Sequence, residues 1–208
     1  MESFFTAIVL AFVSLFPIVD PPGAIPVFCS LTENLNVKHR NITALKTSLN
    51  VFFVLLVFYL IGEFILDFFG ISIGVLRIAG GIVVMNTAWD MLSSKEKISD
   101  EVHAESRTKS DISFAPMALP LLSGPGAIGA VIGLSLQGYE AGYTFGIGTG
   151  ILLIAVTVYI ALLLSIPLMK VLGVTGLEIL KKIMGFFILA IAVQLIVNGI
   201  IMAFNLKV

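Results

Sequence analysis

The 208-residue chain has one cysteine, Cys29, and two histidines, His39 and His103. A single thiol excludes an internal disulfide and any electron relay between paired cysteines. The two histidines stand in separate polar stretches and give no metal-ligand spacing. Charge is scarce as well. Asp, Glu, Lys and Arg make up 12% of the chain, against about a quarter in an ordinary soluble domain. The formal net charge of −1 points to no nucleic acid or other strongly charged partner. No phosphate-cradling glycine loop, catalytic triad or nucleic-acid module is present. The chain is therefore not read as an enzyme, with no catalytic residues, metal or cofactor expected. The amino terminus, Met1-Glu2-Ser3-Phe4, lacks the basic region and cleavage site of a signal peptide, so the first apolar segment is expected to be retained.

What the chain has is apolar length. Hydrophobic residues make up 58% of it, and its mean hydropathy is +1.09. Crossing the hydrocarbon of a bilayer takes about 20 mostly apolar residues in a helix. Six such segments are expected, at about 4–31, 48–69, 71–92, 112–137, 143–168 and 177–204. They divide the chain into a first half, 1–92, a polar cytoplasmic linker, 93–111, and a second half, 112–208. The bilayer is thus the first partner implied. Basic residues set the orientation. Lys38, Arg40, Lys46, Lys95, Lys97, Arg107, Lys109, Lys170, Lys181 and Lys182 fall on the side of the odd-numbered loops, and Lys207 alone falls in the flanks opposite. The expectation is a multi-pass protein of a prokaryotic inner (plasma) membrane, with odd-numbered loops in the cytoplasm and both termini outside.

Two stretches align without gaps. Phe16-Pro17-Ile18-Val19-Asp20-Pro21-Pro22-Gly23-Ala24-Ile25 matches Leu119-Pro120-Leu121-Leu122-Ser123-Gly124-Pro125-Gly126-Ala127-Ile128, at an offset of 103. Leu76-Arg77-Ile78-Ala79-Gly80 matches Lys181-Lys182-Ile183-Met184-Gly185. Three spans per half is an odd number, so the second half enters the membrane from the opposite side. The fold class expected is all-α, six transmembrane helices built as two inverted three-helix repeats. Inverted repeats recur in secondary transporters; duplication for assembly alone is the other reading.

Both aligned stretches carry helix breakers. Pro21, Pro22 and Gly23 interrupt span one, and Gly124, Pro125 and Gly126 interrupt span four. Proline removes an amide donor, and glycine admits irregular dihedrals. At membrane depth such backbone is tolerated only inside protein or beside water. Two breaks at equivalent places should therefore face each other near the midplane. A half-helix starting near Gly23-Ala24 or Gly126-Ala127 offers free amides and a positive dipole end to a carboxylate. The preceding half-helices, ending near Val19 and Leu122, offer carbonyls to an ammonium. A small zwitterion fits this pair of dipoles. Asp20 and its counterpart Ser123 stand where a helix cap belongs. Plain capping by Asp20, and a role in holding the substrate ammonium or a coupling proton, are both open; sodium is the weaker candidate for coupling.

Other polar residues lie in the spans. Glu63 and Arg77 flank Gly70 at seven residues on either side, so a hairpin of spans two and three would let them pair, as a gate or as plain structure. Asp67 competes for the arginine. Asn50, Asn86, Asp90, Gln194 and Asn198 carry no rank among themselves.

Taken together these residues resemble the MarC family, which includes the SnatA-type neutral amino acid transporters. The likeness rests on Asp20-Pro21-Pro22-Gly23-Ala24-Ile25-Pro26, on Arg77-Ile78-Ala79-Gly80-Gly81-Ile82, on Pro116 to Ile128 and on Ile183-Met184-Gly185. The resemblance implies a six-span inner-membrane protein that moves small neutral amino acids such as glycine and alanine, coupled to protons. Export of another small metabolite or drug, and a non-transporting membrane scaffold, remain the alternatives at the level of sequence.

Overall fold

The computed structural model describes residues 2–93, 112–136 and 140–204. Apart from Ser93, the linker expected at 93–111 lies outside the described residues. Eight helical segments follow one another: α1 Glu2–Val19, α2 Ala24–Leu31, α3 Val37–Phe69, α4 Ile73–Leu92, α5 Ser113–Leu122, α6 Pro125–Ser135, α7 Ala141–Leu163 and α8 Ser165–Ala203. Among the described residues there are no strands. α5 is irregular, with extended dihedrals at Ala115 and Leu119. α8 breaks at Gly173 (φ 65°), and its long apolar part is Thr175–Ala203. Four helices, in α3, α4, α7 and α8, are individually long and apolar enough to cross a membrane. The pairs α1–α2 and α5–α6 reach that length only together, bent by 56° and 67°. The structure thus carries four to six candidate spans.

One boundary differs from expectation. The second span was expected to begin near 48, yet α3 begins at Val37. Lys38, His39, Arg40 and Lys46 make its first turns polar, which hides a helix from a hydropathy reading. The start is set locally: the Asn36 side chain accepts the His39 N–H at 2.9 Å and caps the helix. Gly70 ends α3 in the left-handed conformation (φ 63°), and the Ser72 hydroxyl caps α4 by accepting the Val75 N–H.

Small residues set the packing. On α1, Ala7, Ala11 and Leu15 are buried, while Phe5, Val9 and Val13, on another face of the helix, are more than half exposed. Large apolar side chains turned outward are the reverse of a soluble core, and they suit lipid. Gly146 and Gly150 of α7 receive the α1 ridge. A Cβ at Gly146 would stand 2.6 Å from Phe4 O, and one at Gly150 would stand 2.5 Å from Ala11 Cβ. Contacts between small residues let backbones approach closely, and this drives helix association in lipid.

The same contacts give helix directions. Phe4 meets Gly146 and Ala11 meets Gly150, so α1 and α7 run parallel. Gly74 meets Gly199 and Ala203, Gly81 meets Ala192, and Gly185 meets Met91, so α4 and α8 run antiparallel. Asn50 Nδ2 of α3 lies 3.4 Å from Ser113 Oγ at the start of α5. Gly62 of α3 packs against Ile132 of α6. Between Asn50 and Gly62, α3 advances about 18 Å at 1.5 Å per residue. The bent α5–α6 pair therefore travels along α3 in parallel and does not double back. The main core joins α1, α2, α3, α5, α6 and α7, and a smaller cluster joins α4 to α8. Ile18, beside the first bend, packs against both.

The α1–α7 seam makes a stability prediction. Gly150→Leu drives a side chain into α1, an overpacking that costs about 1–3 kcal/mol. The melting temperature of the detergent-purified protein should fall by about 5 °C. Gly148→Leu, where an added side chain meets open space, should leave it within about a degree. Equal effects at the two positions would contradict this packing.

Candidate functional site

The first bend is built by Asp20. It is the only non-glycine residue with positive φ (47°) among the described residues, a conformation that Asp tolerates better than most side chains. Its N–H donates to Phe16 O at 3.0 Å and closes α1. Its carbonyl accepts the Ala24 N–H at 3.3 Å, and its Oδ1 accepts the Gly23 N–H at 3.2 Å. Pro22 O accepts the Ile25 N–H at 3.2 Å. The amides of Gly23, Ala24 and Ile25 at the head of α2 are thereby used. Gly23 is required by the same geometry, because a Cβ there would fall on the Asp20 carboxylate.

The second bend is built differently. The Ser123 N–H reaches back to Ala118 O at 2.8 Å, a wide turn that ends α5. Gly124 is extended (φ −68°, ψ 176°) and Pro125 opens α6. A Cβ on Gly124 would stand 2.7 Å from Pro120 O. Gly124 O accepts the Ile128 N–H at 3.1 Å, and no side chain caps α6. The Ser123 hydroxyl is fully buried and has no hydrogen-bond partner.

The two bends adjoin. A Cβ built on Gly126 would lie 3.5 Å from Ile18 Cγ2 and 2.7 Å from Val84 Cγ2 of α4. Val19 and Ala24 of the first bend share one buried cluster with Leu122 and Ala127 of the second. Pro21 is buried too, while Pro22 is half-buried and Pro125 exposed. Pro125 also lines an open apolar groove of about 280 Å3 between α4 and α6, with Leu76, Gly80, Val83, Gly129 and Ile132.

Lys181 lies on α8, which packs against both α1 and α2; it stands opposite Leu76 in the aligned stretches. Arg77 goes elsewhere. Its Nη1 contacts Met202 Sδ of α8 at 2.9 Å, not Glu63. The expected hairpin fails to bring that pair together because α4 leaves α3 after Gly70 and packs along α8 and α6. Glu63 is half-buried on α3. Gln194 Nε2 donates to Asn198 Oδ1 at 2.9 Å, one turn apart on α8.

Comparison with known proteins agrees with the helical membrane architecture. Residues 5–204 match the model of the MarC family of integral membrane proteins. The chain is 40% identical over 194 residues to the UPF0056 membrane protein MJ1677 of Methanocaldococcus jannaschii, covering 92% of this chain and 95% of that one. It is 37% identical to the UPF0056 membrane protein YhcE of Escherichia coli K12 over 91% and 89% of the two chains. It is 34% identical to the UPF0056 inner membrane protein MarC of the same organism over 97% of each. No solved structure matches the chain significantly. With its apolar helices, its two bent pairs and a match over nearly its whole length, the chain belongs to the MarC family of integral membrane proteins.

Proposed function

We propose that the protein is a secondary transporter of small neutral amino acids of the glycine and alanine type, coupled to protons, holding the zwitterion between the two bends. The observation that carries this reading is that the two bent helix pairs adjoin beside their bends, Ile18 against Gly126, in a bundle whose outer surface is apolar. Irregular backbone in a membrane bundle belongs where a ligand or ion is handled. The glycines at the bends leave little side-chain bulk and suit a small substrate. Asp20 is the one carboxylate at the bends, so it takes the ammonium or the coupling proton.

Two inverted three-helix repeats account for the helix pairing. An axis exchanging the halves turns α1 beside α7 into α5–α6 beside α3, and both pairs run parallel. It turns α4 against α8 into itself, and that pair is antiparallel, as such an axis requires. The bends then sit at equivalent depths. The basic residues favour a cytoplasmic placement of the odd-numbered loops.

Two measurements check this. Purified protein in liposomes should take up labelled glycine and alanine faster when an inward proton gradient is imposed, and Asp20→Asn should abolish that acceleration. Uptake that ignores the gradient, or Asp20→Asn vesicles that keep the wild-type pH profile, would refute the coupling. A fluorescent protein that matures only in the cytoplasm, fused at the C-terminus, should stay dark in cells; a bright fusion would reverse the orientation.

A further inference from the structure

Three polar groups gather at the head of α6 without partners. The Ser123 hydroxyl is fully buried and makes no hydrogen bond. Gly126 is buried and Ala127 is 1% exposed, and neither amide has an acceptor among the described residues. The first amides of a helix point out of its N-terminus, here toward the turn that holds Ser123. Buried donors left open are rare in native proteins and call for a ligand, an ion or water.

The head of α2 is the control built into the molecule. Its aligned residues are filled from within: Gly23 N–H by Asp20 Oδ1, Ala24 N–H by Asp20 O and Ile25 N–H by Pro22 O. Ser123 takes the place of Asp20, three residues ahead of Gly126. Its hydroxyl makes no such bond, because Gly124 takes the cap position and no side chain caps α6. Two ends that align in sequence are thus chemically unequal. One already holds a carboxylate, and the other lacks one.

We infer that the head of α6, formed by Ser123 Oγ and the amides of Gly126 and Ala127, is a carboxylate subsite, while the head of α2 is closed to anions by Asp20. This deepens the transporter reading and rests on it for the identity of the ligand, the carboxylate of a small amino acid. It fixes the direction of the bound zwitterion. The carboxylate lies against repeat two, and the ammonium turns toward Asp20 in repeat one. Positive dipole and open N–H donors favour the anion at α6. The hydroxyl adds one charge-assisted hydrogen bond.

The test uses Ser123→Ala, Ser123→Asp and, as a control, Thr47→Val. Thr47 is also a buried, unpartnered hydroxyl, but it lies inside continuous α3. In proteoliposomes Ser123→Ala should raise the half-saturating glycine concentration about tenfold, the loss of one hydrogen bond to a charged group. Ser123→Asp should supply the missing cap on Gly126 and abolish glycine uptake. Thr47→Val should leave uptake unchanged. Purified protein supplies a readout free of transport: acetate should raise the melting temperature of the wild type and not of either Ser123 variant, and methylammonium should not discriminate them. A half-saturating glycine concentration for Ser123→Ala equal to that of the wild type would overturn the subsite while leaving the transporter standing. Acetate stabilisation lost in the Ser123 variants, with no glycine uptake by the wild type, would keep the subsite and overturn the amino-acid reading. Should Ser123→Asp fail to fold, Ser123→Ala decides by itself.

Discussion

A bent backbone needs hydrogen-bond partners, and hydrocarbon supplies none. Every other feature of this structure follows from where that need is met. A continuous helix satisfies its own amides and carbonyls, so α3, α4, α7 and the long part of α8 can present large side chains outward. The segments at 20–23 and 123–124 cannot. Beside them the two bent pairs and α4 adjoin, with Ile18 and Val84 next to Gly126. Glycines and alanines along α1, α4, α7 and α8 let the surrounding helices close tightly enough to enclose them.

Enclosure is necessary but not sufficient, because the freed groups still require partners. The two bends solve this differently. At the first, Asp20 adopts a left-handed conformation and uses both its carbonyl and its carboxylate to cap α2. Such a conformation costs about 1 kcal/mol or more, offset by amides that would otherwise be buried unpaired. At the second, Ser123 leaves the head of α6 open. Two bends that are chemically uneven suit the proposed ligand with unlike ends.

Much of this was legible in the residues, for physical reasons that can be named. Proline and glycine act on the backbone locally, so a bend near 20–23 and one near 124–126 were expected; in the structure the second lies at 123–124, with Pro125 and Gly126 already in α6. Long apolar runs report lipid exposure, so most helices were visible as well. The first turns of α3 were not, because polarity there masks a helix that Asn36 starts. The Glu63–Arg77 pairing assumed that consecutive helices stay together. Small residues on α4 and α8 favoured a distant partner instead, and Arg77 follows α4 to Met202. The inequality of the two bends lay in a single substitution, Asp20 against Ser123. Its consequence needed the hydrogen-bond geometry to be seen.

The central claim is that the two bends meet inside one chain, and cross-linking tests it most directly. Cys29 is replaced by serine, cysteines are placed at Ile18 and Gly126 with Val84→Ala to make room, and a protease site is inserted between residues 94 and 111. After treatment of membranes with a short thiol cross-linker and proteolysis, the two halves should remain joined until the bridge is cleaved. A matched pair using Phe5, exposed on another face of α1, should fall into two fragments. Halves that separate equally for both pairs would contradict the account.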